Sequence, residues 1–259
     1  MSTGLLALGA GGAVALADDG ESAKDPRAII ADAKRDLAKV KSYHFAGQET
    51  DKGSVTKLTG DVFASGSTRL TITDGKATAR LVVLPKAVYI KGNTAFWRTS
   101  GGKKLSAAAL RKLADRWIKE TTKQAGDSSS LVGEVSPKHL ASCLDTGTGT
   151  LTAQPSAKVA GQDAVVLQDA GDKPGTAPGR YYLTAGAPVL PLRIVQTGPR
   201  KKGTPANADC GDAKSDTSTR SDLTFSRFGK VAPITAPHGA IALDDLAQGG
   251  GGGGGGTPV

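Results

Sequence analysis

The chain has 259 residues, 38% of them hydrophobic but only 4% aromatic, and carries 33 Lys and Arg against 24 acids for a net charge of +9. That length accommodates one large or two small domains, with a core built from Ala, Val, Leu and Thr rather than from rings. The basic residues are scattered along the whole chain and are not interleaved with aromatics, which argues against nucleic acid and leaves long-range attraction to an anionic membrane or wall surface.

Leu5 to Ala17 is an apolar run too short and too rich in glycine for a bilayer span. It reads as a signal-peptide core with Ala15-Leu16-Ala17 as the small residues a peptidase needs, although no Lys or Arg precedes it. No Cys follows the run, so the usual lipid-attachment route of bacterial lipoproteins is not open to this sequence as written. Residues 1–24 are therefore set apart as a signal-like segment and linker, 25–247 as one domain, and 248–259, with its unbroken glycine run from Gly249 to Gly256, as a disordered tail.

From Asp25 the sequence DPRAIIADAKRDLAKVKS pairs an N-cap with Pro26 at the first helical position and places Ile29 or Ile30, Ala33, Leu37 and Val40 on one face. The opposite face carries Lys34, Arg35, Lys39 and Lys41. Period-two patterning follows: Tyr43 alternates with Phe45, Leu58 shares a parity with Val62, and Leu70 and Ile72 lead into the hairpin signal Asp74-Gly75. Further strands are expected at Ala77 to Leu84, Ala87 to Lys91 and Thr94 to Thr99. Leu110, Leu113 and Trp117 then recur at helical spacing, giving a second long helix over 105–124.

After the Ser-rich break at Ser128 to Ser130, SPKHLASCL predicts a short helix, and the sheet resumes at Thr150 to Thr152, Ala157 to Val159 and Ala164 to Leu167, with a turn at Gly161 to Asp163. RYYLTAGAPVLPLRIVQTG, from Arg180 to Gly198, reads as two apolar strands around a Gly-containing turn, and LTFSRF closes the series before the apolar end GAIALDDL. The only cysteines are Cys143 and Cys210; in an oxidising compartment they pair, whereas a metal site needs more ligands and a CxxC redox pair is absent.

Catalytic signatures are few. Ser54-Val55-Thr56-Lys57 has the SxxK spacing of penicillin-recognising enzymes, but it lies in a strand-like segment with neither SDN nor KTG downstream. GxSxG, HExxH and the P-loop pattern are absent, and His44, His139 and His238 are far apart in sequence. Asn207, Asp209, Asp212 and Asp216 offer oxygen ligands, but not at EF-hand spacing, so a solvated acidic loop is the simpler reading. No enzymatic activity, metal or other cofactor is expected.

Four stretches carry a family likeness: the helix ending in KVKSYHFAGQ, the pair TRLTITDGKATARLVV, the strand KAVYIKGNTAFWRTS, and YYLTAGAPVLPLRIVQTG followed by LTFSRFGKVAPITAP. Through them the chain, from about Asp25 to Leu243, resembles the LppX/LprA/LprF/LprG group of actinobacterial envelope lipoproteins within the LolA/LolB-like superfamily. The resemblance implies an α+β fold, a curved antiparallel half-open β-barrel wrapped over a few helices. It implies an apolar cavity that holds the acyl chains of a lipid or lipoprotein during transit across the envelope, in a monomer outside the cytoplasm, secreted or envelope-associated.

The side chains assigned to that cavity wall are Phe45, Val62, Leu70, Ile72, Leu81, Val83, Val88, Ile90, Leu113, Trp117, Leu183, Leu192 and Ile194. Tyr181 and Leu190 join Leu183, Leu192 and Ile194 as wall rather than machinery, although plain sheet core accounts for the same alternation. A second reading from another class is an extracytoplasmic sensor or a module that binds a protein or wall polymer through its surface.

Overall fold

The computed structural model describes residues 24–100, 105–122, 136–146, 148–203, 210 and 220–248. Twelve strands form one sheet: β1 (Ser42–Asp51), β2 (Ser54–Phe63), β3 (Thr68–Asp74), β4 (Ala77–Leu84), β5 (Ala87–Gly92), β6 (Ile118–Thr121), β7 (Leu151–Val159), β8 (Gln162–Ala170), β9 (Pro178–Thr184), β10 (Pro191–Gln196), β11 (Arg220–Ser226) and β12 (Ile241–Ala242). Their order across the sheet is β12-β6-β5-β4-β3-β2-β1-β11-β10-β9-β8-β7. Every pairing is antiparallel except the short parallel contact of β12 with β6. The sheet ends at two edges and is not closed. The edge strand β7 is interrupted at Pro155 by a register shift between Gln154 and Ala157, a feature that blunts an edge against pairing with other chains.

Among the described residues five helices accompany the sheet: α1 (Pro26–Leu37), α2 (Thr94–Ser100), α3 (Ala107–Leu113), α4 (Pro137–Thr146) and α5 (Leu243–Gln248). Helix α1 begins where the sequence places its cap, with Asp25 Oδ1 accepting the Arg27 N–H at 2.8 Å and Pro26 in the first turn. Its apolar stripe, Ile29, Ile30, Ala33 and Leu37, is fully buried and packs with Ala141 and Leu144 of α4 onto Val165, Leu167 and Leu183. Arg27 also reaches 121 residues along the chain to donate to Thr148 Oγ1 at 2.6 Å, and Asp36 accepts the Val189 N–H at 3.1 Å. Both ends of α1 are thus pinned to the β7–β10 half of the sheet.

Two expected elements differ. Thr94 to Thr99, read as a strand, is helix α2, because Asn93 caps it: Asn93 Oδ1 accepts the Phe96 N–H at 2.9 Å and its Nδ2 donates to the Lys76 carbonyl at 2.8 Å. The helix expected over 105–124 is short, since α3 ends at Leu113, Asp115 turns the chain at φ 58°, and Ile118 to Thr121 joins the sheet as β6 beside β5. Hydrogen bonding to an open strand edge outweighs local helical spacing here. The Asp74-Gly75 hairpin, the turn before Asp163, the helix over SPKHLASCL and the strands flanking the Gly-containing turn at 185–190 form as expected. The signal-like segment, the Ser-rich break, the Asn207 to Asp216 loop and the glycine tail lie outside the described residues.

One face of the sheet near its centre is polar. There Asp61, only 8% exposed, is met by His44 Nδ1 at 2.8 Å and by Arg69 and Arg227, each at 2.5 Å. Burial alone raises this carboxyl, but the hydrogen bonds from Arg69 and His44 and the charge of Arg227 outweigh it and hold the acid below its ordinary 3.8. The cluster therefore stabilises the fold above that value and is lost as pH falls below it. Asp61→Asn is expected to cost about 1–2 kcal/mol at neutral pH, discounted because both arginines are half exposed. In urea titrations the gap between wild type and variant closes as pH drops below about 3.8.

The cysteines pair as Cys143–Cys210, closing a 67-residue separation and anchoring α4. Loop-closure entropy puts the loss on reduction at about 4 kcal/mol. A Cys143→Ser, Cys210→Ser variant is expected to show that loss in urea unfolding, with wild type under reductant falling to the same midpoint.

Candidate functional site

The other face of the sheet is apolar, and register organises it into rows. One row of direct cross-strand partners runs Gly92, Ala79, Ile72, Leu58, Gly47, Leu223, Ile194, Tyr181, Leu167, Ala153, one residue from each strand between β5 and β7. Side chains two residues apart share a face, so the rows on either side of this one are fixed as well. Toward one end of the strands lie Phe45, Gly60, Leu70, Leu81 and Ile90, then Tyr43, Val62, Thr68, Val83 and Val88. Toward the other end the next row is Ala77, Asp74, Thr56, Glu49, Ser221, Gln196, Gly179 and Asp169. The face grades from an apolar floor to a polar rim within a few residues.

Burial follows the same gradient. Tyr43, Val62 and Val88 on the floor are buried, whereas Ile72, Leu58, Leu223, Ile194 and Tyr181 in the middle row remain half-buried. Helices cover the ends of that row: α1 and α4 lie over Leu167, and Phe96 and Trp97 of α2 pack on Ala79, Leu81 and Ile90. Toward the centre the cover thins: Tyr181 and Ile194 still pack on the cluster under α1 and α4, Leu140 of α4 reaches the cluster around Tyr43, and Leu58, Leu223 and Ile72 remain half-buried. Aromatic rings close the floor, with Tyr43 in tilted contact with Phe45, Phe225 and Phe228 at centroid distances of 6.3, 5.8 and 6.2 Å.

Two glycines shape this centre. A Cβ on Gly47 would lie 2.0 Å from the Asp222 carbonyl oxygen of the neighbouring strand, and one on Gly60 would lie 2.8 Å from the Phe45 ring. Both positions need the smallest residue, one for close approach of two backbones and the other to seat an aromatic ring.

Most residues assigned to the wall meet on this face. Leu81, Val83, Val88 and Ile90 form one cluster with Leu70 and Ile72 against it, and Phe45 and Val62 form the next, which shares Leu70. Leu183 belongs to the cluster under α1 and α4, and Ile194 joins that cluster to the one around Phe45. Leu113 is half-buried at the end of α3. Trp117 is placed elsewhere: it packs with Val82, Ala87, Tyr89 and Ile234 on the reverse of β4 and β5. Leu192 borders a separate groove of about 890 Å³ on the polar side, which none of the other assigned wall residues lines. Sequence reading passed over Leu58 and Leu223, whose neighbours in the chain are polar and whose role comes only from cross-strand register.

Polar groups on the apolar face are few. Thr68 Oγ1 and Trp97 Nε1 are buried without a hydrogen-bond partner. Burial pushes the Tyr181 phenol and the Glu49 carboxyl up, Asp51 adding to the effect on Glu49 and Arg200 opposing it. Asp169 is fully buried beside the rim; burial raises it while the N–H groups of Gly171 and Gly149 oppose that shift. These last contacts are turn architecture. Ser54 and Lys57 lie an odd number of residues apart on one strand and point to opposite faces, so the SxxK spacing makes no catalytic pair. Among the described residues no group of three or more His, Cys, Asp or Glu is placed to hold a metal ion, and no helix is long and apolar enough to cross a membrane.

No family model and no curated protein matches the chain. Among solved structures, LprF from Mycobacterium bovis aligns at 14% identity and a TM-score of 0.50, over 83% of this chain and 97% of that one. The fold is that of LprF. The lipoprotein LppX from Mycobacterium tuberculosis aligns at 15% identity and a TM-score of 0.47, over 82% of this chain and all of the other. The likeness read from the sequence holds at the level of fold.

Gly47→Ala is expected to destabilise the protein by about 1–3 kcal/mol, since strand or carbonyl must shift. Gly186→Ala, where an added Cβ meets nothing within 4 Å, is the neutral control in thermal melts.

Proposed function

We propose that this chain is an exported, non-enzymatic carrier that holds the acyl chains of a lipid or lipoprotein against the half-buried middle of the apolar face. The observation that carries the reading is the cross-strand row from Ile72 to Tyr181, half-buried on six adjacent strands, with helices packed mainly toward its two ends. Water against such a band is unfavourable by roughly 25 cal/mol per Å² of apolar surface, and each methylene of a guest chain that replaces it contributes about 0.8 kcal/mol. The gradient along the strands sets an orientation: the tail lies over Phe45, Leu70 and Ile72, and the polar head sits at the rim formed by Glu49 and Ser221.

In this reading the sheet wraps toward α1 and α4 as a half-open barrel, and the wall consists of Phe45, Val62, Leu70, Ile72, Leu81, Val83, Val88, Ile90, Leu183 and Ile194. Leu58 and Leu223 are added to it. Trp117 and Leu192 belong to other surfaces. The LprF fold supports the assignment, and the Cys143–Cys210 bond suits an oxidising, extracytoplasmic compartment. The carrier acts as a monomer of one domain.

The test is titration with cis-parinaric acid, a fluorescent fatty acid. Wild type is expected to bind it saturably. Ile72→Lys, which places a charge in the band at a half-buried position, is expected to weaken binding at least tenfold with the far-UV spectrum unchanged. Absence of saturable binding, or equal binding by the variant, rejects the carrier.

A further inference from the structure

The groove of about 890 Å³ on the polar side has a composition unlike that of the apolar face. It is bordered by β1, β2, β10 and β11, by the turn after β11, and by the tip of the β7–β8 hairpin, which forms its far wall. Five cations line it, Lys57, Lys158, Arg193, Arg227 and Lys230, against a single carboxylate, Asp222. Asp222 is held by Arg193, Nε to Oδ1 at 2.7 Å and the second guanidinium nitrogen to Oδ2 at 2.5 Å, with the guanidinium 5.5 Å from the Tyr182 ring centroid. Asp61 neutralises Arg227 and Asp163 neutralises Lys158 from just outside the lining. Five cations less these three carboxylates leave a surplus of two, Lys57 and Lys230, both exposed and neither in an ion pair among the described residues.

The cations are strung along the strands. Lys57 pairs with Gln48, which pairs with Asp222; Arg193 pairs with Thr224; Arg227 follows Ser226, and Lys230 lies three residues further. At about 3.3 Å per residue, the stretch from Asp222 to Ser226 alone spans roughly 13 Å. A single compact anion does not span that line, and a flat bilayer does not enter a groove walled by a hairpin tip. Successive charges on an extended chain match both features.

We propose that this groove binds a linear polyanion, a polymer whose repeat carries a phosphodiester or a carboxylate, lying along the strands between Lys57 and Lys230. The site is independent of the apolar face and stands whether or not an acyl chain binds there. It also gives the net charge of +9 a local role that its scatter along the sequence conceals.

The experiment measures binding of the intact protein to inorganic polyphosphate and to oligogalacturonate, over a range of salt from about 50 mM upward. The variants are Lys57→Ala with Lys230→Ala, and Lys76→Ala with Lys86→Ala, an equal loss of charge at exposed positions outside the groove. The groove variant is expected to lose at least tenfold in affinity at low salt and to flatten the log–log salt slope by about 1.4, or about 0.7 for each lysine removed. The control variant is expected to keep both. Preference for polyphosphate assigns a phosphate-bearing polymer, and preference for oligogalacturonate an acidic glycan. Equal losses in the two variants, binding to neither polymer, or binding only to vesicles of anionic phospholipid overturns the proposal.

Discussion

Cross-strand register is the constraint on which the rest of this molecule depends. A shift of one residue in any pairing between β5 and β7 would turn that strand's side chains to the opposite face. The apolar row would then be broken by a Lys, a Gln or a Thr, and the polar side would lose the alignment of its cations. Both surfaces are products of the same ladder: Gly47 and Leu223 pair in the apolar row, while the flanking Gln48–Asp222 and Ala46–Thr224 pairs border the groove behind it. Register is held by the tight Asp74-Gly75 hairpin, by the close backbone approach that Gly47 permits, and by the Asp61 cluster, which fastens β1, β2 and β3 to the turn after β11.

The helices act on what the sheet leaves open. Helix α1 has a continuous apolar stripe and is capped and pinned at both ends, so it covers the β8–β10 half firmly. Helix α2 is short, none of its residues is fully buried, and it rests mainly through Phe96 and Trp97. Leu58 and Ile72 stay half-buried between these helices. A packed interior normally removes such a band from water, and its persistence on six adjacent strands distinguishes this face from an ordinary core.

Elements fixed by local chemistry were legible in the sequence. The cap and proline before Arg27, the Asp74-Gly75 turn, the alternation through Leu70 and Ile72 and the cysteine count led to elements the structure contains. Where local preference competes with a strand edge, the reading failed: Leu110, Leu113 and Trp117 have helical spacing, yet Ile118 pairs with Ile90 and puts Trp117 on the reverse face. Thr94 to Thr99 reads as a strand, and Asn93 instead caps a helix there. The remainder is non-local. The β1–β11 pairing joins residues more than 160 positions apart, and no pattern along the chain announces that Gly47 faces Leu223 or that Lys57 shares a groove with Lys230.

The central claim is that the band between the helical covers is filled by hydrocarbon when the protein is at work. Native mass spectrometry of the protein purified from its own host, followed by organic extraction, tests it most directly. The account predicts a discrete added mass that is released by organic solvent and identified as an acylated lipid or an acylated peptide. A clean mass of the polypeptide alone, in protein whose Cys143–Cys210 bond is intact, would contradict it.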